Sequence, residues 1–323
     1  GGRVAPVTRG PRDRAQLLLV GGLVIAVGLV ALAIVLNSGI YTHNLASRAD
    51  PTASEAVGNA AVVRDGVAGL VDFAVRHHPD DTAAQVHNVT AAVPDVSEQA
   101  SRGWARHAVF ANATVATTAN GTTVNQTGDR EFTDSASAAH WTVASDARGV
   151  RAFEMDVVRT SLADEGGLLP APLSASVFNV TVDPDSGSDL NVSVYRDGSG
   201  STAVLVTEVD TGRTFGPCTD DTGTRTTVDL TGATVGDEHC GALERVGEVD
   251  RPFDVAYSSA NSVAGSYSLV VNTTSVSPNV VAPGSPGPTA FDTLYSAGVD
   301  VRFNSQRVDY RTTIRVAPGE AGA

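Results

Sequence analysis

The sequence predicts an α+β protein: an N-terminal transmembrane helix and a helical stalk, followed by a mainly antiparallel β-sandwich head. Three observations predict it. Leu17 to Leu36 is twenty residues without a charge or a proline. Downstream of Asp50-Pro51, apolar residues recur at helical spacing. From Val109 onward the apolar period falls to two, with Gly-rich turns between short runs.

As a helix, the apolar run would be about 30 Å long, the thickness of a bilayer's hydrocarbon core. Leu17, Val20, Leu23, Ile25, Val30, Leu32 and Val35 cover every side of it, which suits lipid rather than one face of a soluble core. Arg3, Arg9, Arg12 and Arg14 precede it, with Asp13 the only acid. Positive flanks stay in the cytoplasm, so the remainder of the chain is expected outside the cell membrane. A cleaved secretory signal has a shorter apolar core and a better small-residue site than Asn37-Ser38-Gly39. Two readings stand. One is an uncut signal anchor. The other is a prepilin leader cut between Ala15 and Gln16, because Arg14-Ala15-Gln16 runs directly into Leu17. Gly22 and Ala26, four apart, would let such helices approach closely.

Every one of the 22 basic residues is arginine, against 36 acids. Beyond residue 15, 18 arginines face 35 acids. Such a body repels itself in dilute solution and is relieved at high salt. No basic stripe remains outside the leader, so nucleic acid is not an expected partner. Seven N-x-Ser/Thr glycosylation sequons occur, at Asn88, Asn112, Asn120, Asn125, Asn179, Asn191 and Asn272, all beyond the apolar run. Cys218 and Cys240 are the only cysteines, and an exported chain with an even count is expected to pair them.

The predicted organisation is a leader at 1–15, a membrane helix at 16–37, a helical stalk or shoulder at 38–108, an extracellular β-rich domain at 109–317 and a tail at 318–323. In the stalk, Val63, Val67, Leu70, Val71 and Ala74 share one face, His77-His78-Pro79 ends the segment, and Asp81 or Thr82 caps a second helix broken at Pro94. Ser97 to His107 reads as its last part. In the head, Asn120-Gly121 between two β-like runs predicts a hairpin turn. Further runs at 139–144, 150–162, 176–182, 190–195, 203–209, 226–230, 253–257 and 266–272 read as strands, and the alternations at Val299–Phe303 and Val308–Val316 are the clearest. Asn179 and Asn191 alternate with apolar neighbours, so each is expected on the outer side of its strand. Ser277 to Thr289, rich in proline and glycine, reads as a loop or hinge.

Three stretches carry a resemblance: the start DRAQLLLV, RGVRAFEMDVVRTSLAD around Met155, and the end YRTTIRVAPGE. They resemble a haloarchaeal family of membrane-anchored surface proteins with pilin-like, prepilin-type N-termini, over most of the chain. That family has no established activity, so the resemblance implies a surface protein and supplies no catalytic residues. Type IV pilins also join a hydrophobic N-terminal helix to a β-rich head, an architectural analogy. Where bacterial pilins carry glutamate at mature position five, this chain has Val20.

No catalytic constellation is legible. The histidines form no H-E-x-x-H, and no nucleophile elbow, phosphate loop or dinucleotide fingerprint is present. His77, His78, Asp80, Asp81 and His87 cluster in sequence but read as a polar helix end and cap. Asp183-Pro-Asp-Ser-Gly-Ser-Asp189 offers carboxylates without the spacing of a calcium-binding EF-hand loop and reads as a solvated turn. Gly198-Ser199-Gly200 reads as a hairpin turn. No enzyme activity, cofactor or metal is expected. The expected function is a single-pass archaeal cell-surface protein, with the bilayer and like subunits or other surface proteins as partners. The alternative is a membrane-tethered extracellular enzyme or solute-binding protein.

Overall fold

The computed structural model describes residues 53–102, 109–166, 174–281, 285, 287–306 and 308–320. The apolar run, Asp50-Pro51 and the Arg14-Ala15-Gln16 boundary lie outside them, as does Trp104. Among the described residues no helix is long and apolar enough to cross a membrane.

Two helices, α1 (Ala53–His77) and α2 (Thr82–Ser101), lead into β1 (Phe110–Glu131), β2 (Trp141–Ala147), β3 (Val150–Val158) and β4 (Asp164–Glu165). Then come β5 (Phe178–Pro184), β6 (Leu190–Asp197), β7 (Thr202–Glu208) and β8 (Arg213–Asp220). Next are β9 (Arg225–Asp229), β10 (Thr234–Val235), β11 (Glu238–His239) and β12 (Phe253–Ser258). The chain closes with β13 (Ala264–Val271), β14 (Thr289–Asn304) and β15 (Asp309–Val316). Eight strands form one sheet in the order β11-β10-β9-β3-β13-β1-β14-β15. The second sheet runs β2-β12-β5-β6-β7-β8, with β4 added beside β6. All ladders between these strands are antiparallel except the short β4–β6 pair.

The period-two runs explain the main core. Phe153, Met155 and Val157 of β3 and Tyr267, Leu269 and Val271 of β13 meet Phe178, Val180 and Val182 of β5 and Val192 and Val194 of β6. Fully burying one such side chain stabilises by roughly 1.5–3 kcal/mol. Phe132, Phe178, Tyr257 and Tyr267 stack edge to face in the middle, and Trp141 Nε1 donates to Phe132 O at 2.9 Å. Burial drives the phenols of Tyr257 and Tyr267 well above their ordinary value, so they act here as neutral rings.

A second core joins the helices to the sheet. Val63, Val67, Val71 and Ala74 of α1 and Val89 and Val93 of α2 pack on Ala113, Ala297, Val299, Val301 and Val316. Over the described residues, the segment read as a stalk or shoulder is therefore a helical hairpin laid against the strands. Asp81 caps α2, its Oδ1 accepting from Ala84 N at 2.9 Å. The expected break at Pro94 does not occur: α2 runs through it to Ser101. Pro94 and Thr90 are exposed, so the carbonyl that loses its partner four residues back lies on the wet side, where water can satisfy it.

The expected hairpin at Asn120-Gly121 is also absent: β1 is one 22-residue strand through both residues. Gly121 does not have positive φ. It serves close approach, because a Cβ there would stand 2.2 Å from Val271 O and 3.0 Å from the Tyr295 ring. Gly121 sits where β13 joins β1, whose ladder to β13 begins at Thr122–Val271. Nearby the β1–β14 register slips between Ala119 and Asn120. Buried side chains satisfy the backbone at that irregularity. Gln85 Oε1 accepts from Leu294 N at 2.6 Å, and Arg151 Nη1 donates to Leu294 O at 3.0 Å and Tyr295 O at 3.3 Å.

Candidate functional site

The last strand and the tail make one charged anchor. Glu320 is buried and receives Arg251 Nη1 and Arg315 Nη2, each at 2.7 Å. Burial alone would push its carboxyl up. The hydrogen bond from Arg315 and the charges of Arg315 and Arg251 outweigh that, and the group sits below its ordinary value. Gly149 leaves room for the meeting: a Cβ there would stand 2.7 Å from the Tyr295 hydroxyl and 2.8 Å from the Glu320 carboxyl carbon. Residues 318–320, read from sequence as a tail, thus lock β15 to the Arg251 turn between the sheets.

Cys218 of β8 and Cys240, just after β11, form a disulfide. Those strands are edge strands of different sheets, so the bridge closes one side of the sandwich. Cys240 is buried in the main core. The turn that follows it, Leu243–Glu248, overhangs the gap between the sheets.

A hollow of about 410 Å³ opens beneath that turn. Its floor is the edge of the main core, Phe153, Leu230, Val182, Phe253 and Val255, with Leu243 above, all almost wholly buried. His239, Glu244, Glu248 and Arg251 stand at its edge. His239 Nε2 lies 3.3 Å from Glu244 Oε1, and Arg245 binds Glu248 and, at 2.9 Å, Glu208. A second hollow of about 910 Å³ is polar: Asp72 and Arg76 of α1 face Glu154 and Asp156 of β3 and Ser266 and Ser268 of β13. Its deepest cation, Arg151, is lowered by burial, an effect opposed by the charge of Asp72.

The sequons are scattered rather than convergent. Asn120 is exposed on β1, whereas Asn88 on α2, Asn112 on β1 and Asn272 after β13 are half-buried. Asn125 accepts from Thr289 Oγ1. Asn179 and Asn191 lie on the outer side of β5 and β6, and their sequons bond each other. Thr181 Oγ1 donates to Asn191 Oδ1 at 2.7 Å, and Ser193 Oγ donates to Asn179 Oδ1. Asn179 Nδ2 also donates to Val177 O at 2.9 Å, leaving that amide engaged at both ends.

Among the described residues no group of three or more His, Cys, Asp or Glu is placed to hold a metal. His77 Nδ1 is 2.9 Å from Phe73 O, so with Asp81 it belongs to the helix ends. In the 183–189 loop, burial and the neighbouring Asp183 and Asp210 push Asp189 up. The Gly198-Ser199-Gly200 turn is a hairpin tip, with Asp197 Oδ1 accepting from Ser199 N and Ser201 N at 2.9 and 3.0 Å. Sequence reasoning missed Glu320, Arg251 and the hollow at the sandwich end. The exposed-looking tail gave Glu320 no pattern, and the hollow is assembled from segments far apart in the chain.

These features define a disulfide-closed antiparallel β-sandwich with a helical hairpin docked on one sheet. Residues 11–162 match a family described as Family of unknown function (DUF7261), so the chain is similar to that family over somewhat less than half its length. The match covers the apolar run, the hairpin and β1–β3, and not the C-terminal YRTTIRVAPGE, so it is shorter than the resemblance read from the sequence. No curated protein and no solved structure matches the chain.

Proposed function

We propose that the chain is a single-pass cell-surface protein of a salt-adapted archaeon, a pilin-like subunit whose glycosylated β head faces outward for envelope structure, adhesion or assembly. One observation carries this reading: four arginines followed by twenty uncharged, mostly apolar residues at 17–36, ahead of an acidic body. The Cys218–Cys240 bridge supports an oxidising exterior for that body. All seven sequons lie on the same side of the run, and Asn120 stands exposed. The step from Arg14-Ala15-Gln16 into Leu17 supports prepilin-type cutting before Gln16, which would leave the helix free to lie in lipid or pack against like subunits.

Protease applied to intact cells tests the orientation. The reading expects loss of the sandwich and survival of the membrane-buried segment; a protected sandwich overturns it. N-terminal sequencing of the native protein then separates the two anchor readings, since a start at Gln16 marks processing and an intact leader removes it.

A further inference from the structure

We propose that β15 binds a second copy of this chain, edge to edge and antiparallel, joining two eight-stranded sheets into one. The pairing goes beyond surface display and does not depend on where the chain is anchored, so its failure would leave that reading standing.

Four strands end the two sheets, and three of them are blunted. β11 is two residues long. β2 breaks register twice against β12, and β8 carries Gly216-Pro217 and a register break against β7. β15 is different. It is eight residues long, holds no proline or glycine, and pairs with β14 without a break. Among the described residues no strand pairs with its other side. The outward half of its amides and carbonyls is a ready template for another strand.

The side chains of β15 fix the occupant and the register. A two-fold axis relating two antiparallel copies stands perpendicular to the sheet and keeps their faces matched. One residue must therefore lie on the axis, opposite its own copy. Centring on Arg311 sets that arginine against itself, and centring on Thr313 sets Arg311 against Arg315 of the second copy. Both registers oppose like charges. Centring nearer either end pairs fewer of the eight residues. Centring on Thr312 sets Asp309 against Arg315 twice, Arg311 against Thr313, and Tyr310 against Ile314. Asp309, Arg311, Thr313 and Arg315 are exposed, on the face away from the helices. Within one copy Asp309 meets Arg311 of its own strand at 3.3 Å, with both side chains more than half exposed. Arg315 spends Nη2 on Glu320 and has further guanidinium donors for a second carboxylate. On the helix side Tyr310 and Ile314 are half-buried against the hairpin core, and each would cover the other's open flank.

The test is oxidative cross-linking of the full chain in detergent micelles. The two native cysteines are bonded to each other, so a single introduced cysteine links to a second copy. Thr312→Cys would place its Cα about 4.5–5.5 Å from its counterpart, within the span of a disulfide. Tyr310→Cys and Ile314→Cys would stand four residues out of register with their counterparts, about 13 Å along the strand. Linked dimer is expected for Thr312→Cys, with about tenfold less or lower for the other two, whose separation no disulfide spans. Adding Asp309→Arg to Thr312→Cys turns both Asp–Arg pairs into like-charge pairs and should cut the linked dimer about tenfold or more. Dimers held by the apolar run alone would link position 312 no better than 310 or 314. That result, or indifference to Asp309→Arg, overturns the proposal. Hydrogen exchange of the wild type needs no variant. Alternate amides of β15 are expected to gain protection as monomer becomes dimer, while those of β2 stay unchanged. Absence of a dimer, or equal exchange of β15 in monomer and dimer, also overturns it.

Discussion

Replacing both Cys218 and Cys240 by alanine should cost the sandwich a substantial fraction of its stability. The bridge closes a loop with a sequence separation of 22. In the chain-entropy account a loop of that length restrains the unfolded state by roughly 3 kcal/mol. The native state should not relax to recover it, because β11, just before Cys240, is already held by β10 and β8 by β7. The removed bond lies between sheets, where no ladder substitutes for it. For a domain of this size each kcal/mol moves the melting temperature by about 2–4 °C, so a drop of about 6–12 °C is expected. The assay is calorimetry of the full chain, wild type against the double variant, with and without reductant. Reductant should lower the wild type toward the variant and leave the variant unchanged. A drop below about 2 °C, or equal sensitivity of both proteins to reductant, would refute the claim that the bridge restrains the unfolded chain.

Other consequences are equally direct. Glu320→Gln should destabilise by about 2 kcal/mol, because two charge-assisted bonds from Arg251 and Arg315 lose their anion. The folded-state pKa of Glu320 is lowered, so its stabilisation is full above the ordinary carboxylate range and is lost as pH falls through the folded value. Melting curves should therefore show the gap between wild type and E320Q closing below about pH 4, and a constant gap would contradict the assignment. Gly121→Ala should cost about 1–3 kcal/mol in denaturant titration, since the added methyl meets backbone rather than a movable side chain; a neutral result would mean that β1 and β13 separate easily. Glycopeptide mass spectrometry of native protein should find Asn120 occupied and Asn125 and Asn179 empty, because the last two amides are engaged in the sheet. The opposite pattern would show that modification precedes strand pairing.

Features that depend on near neighbours could be read directly from the order of residues. Alternation placed most strands to within a few residues, from 190–197 to 309–316, because successive side chains of an extended chain must face opposite sides. Asp81 was legible as a cap because its acceptor reaches an amide three residues on. The cysteine pair was legible by count. Features that depend on the approach of distant segments emerged only in the folded chain. Asn-Gly is a turn signal only when no neighbouring strand extends the ladder, and at Gly121 the ladder to β14 runs through while that to β13 begins one residue on. Pro94 breaks a helix only when packing does not hold both sides of it, and Val93 and Ser97 are both buried. Glu320 and the floor of the hollow draw their meaning from partners more than sixty residues away along the chain, such as Arg251 for one and Phe153 with Val255 for the other. No local pattern encodes such meetings, because they exist only after the sheets have closed around a common core.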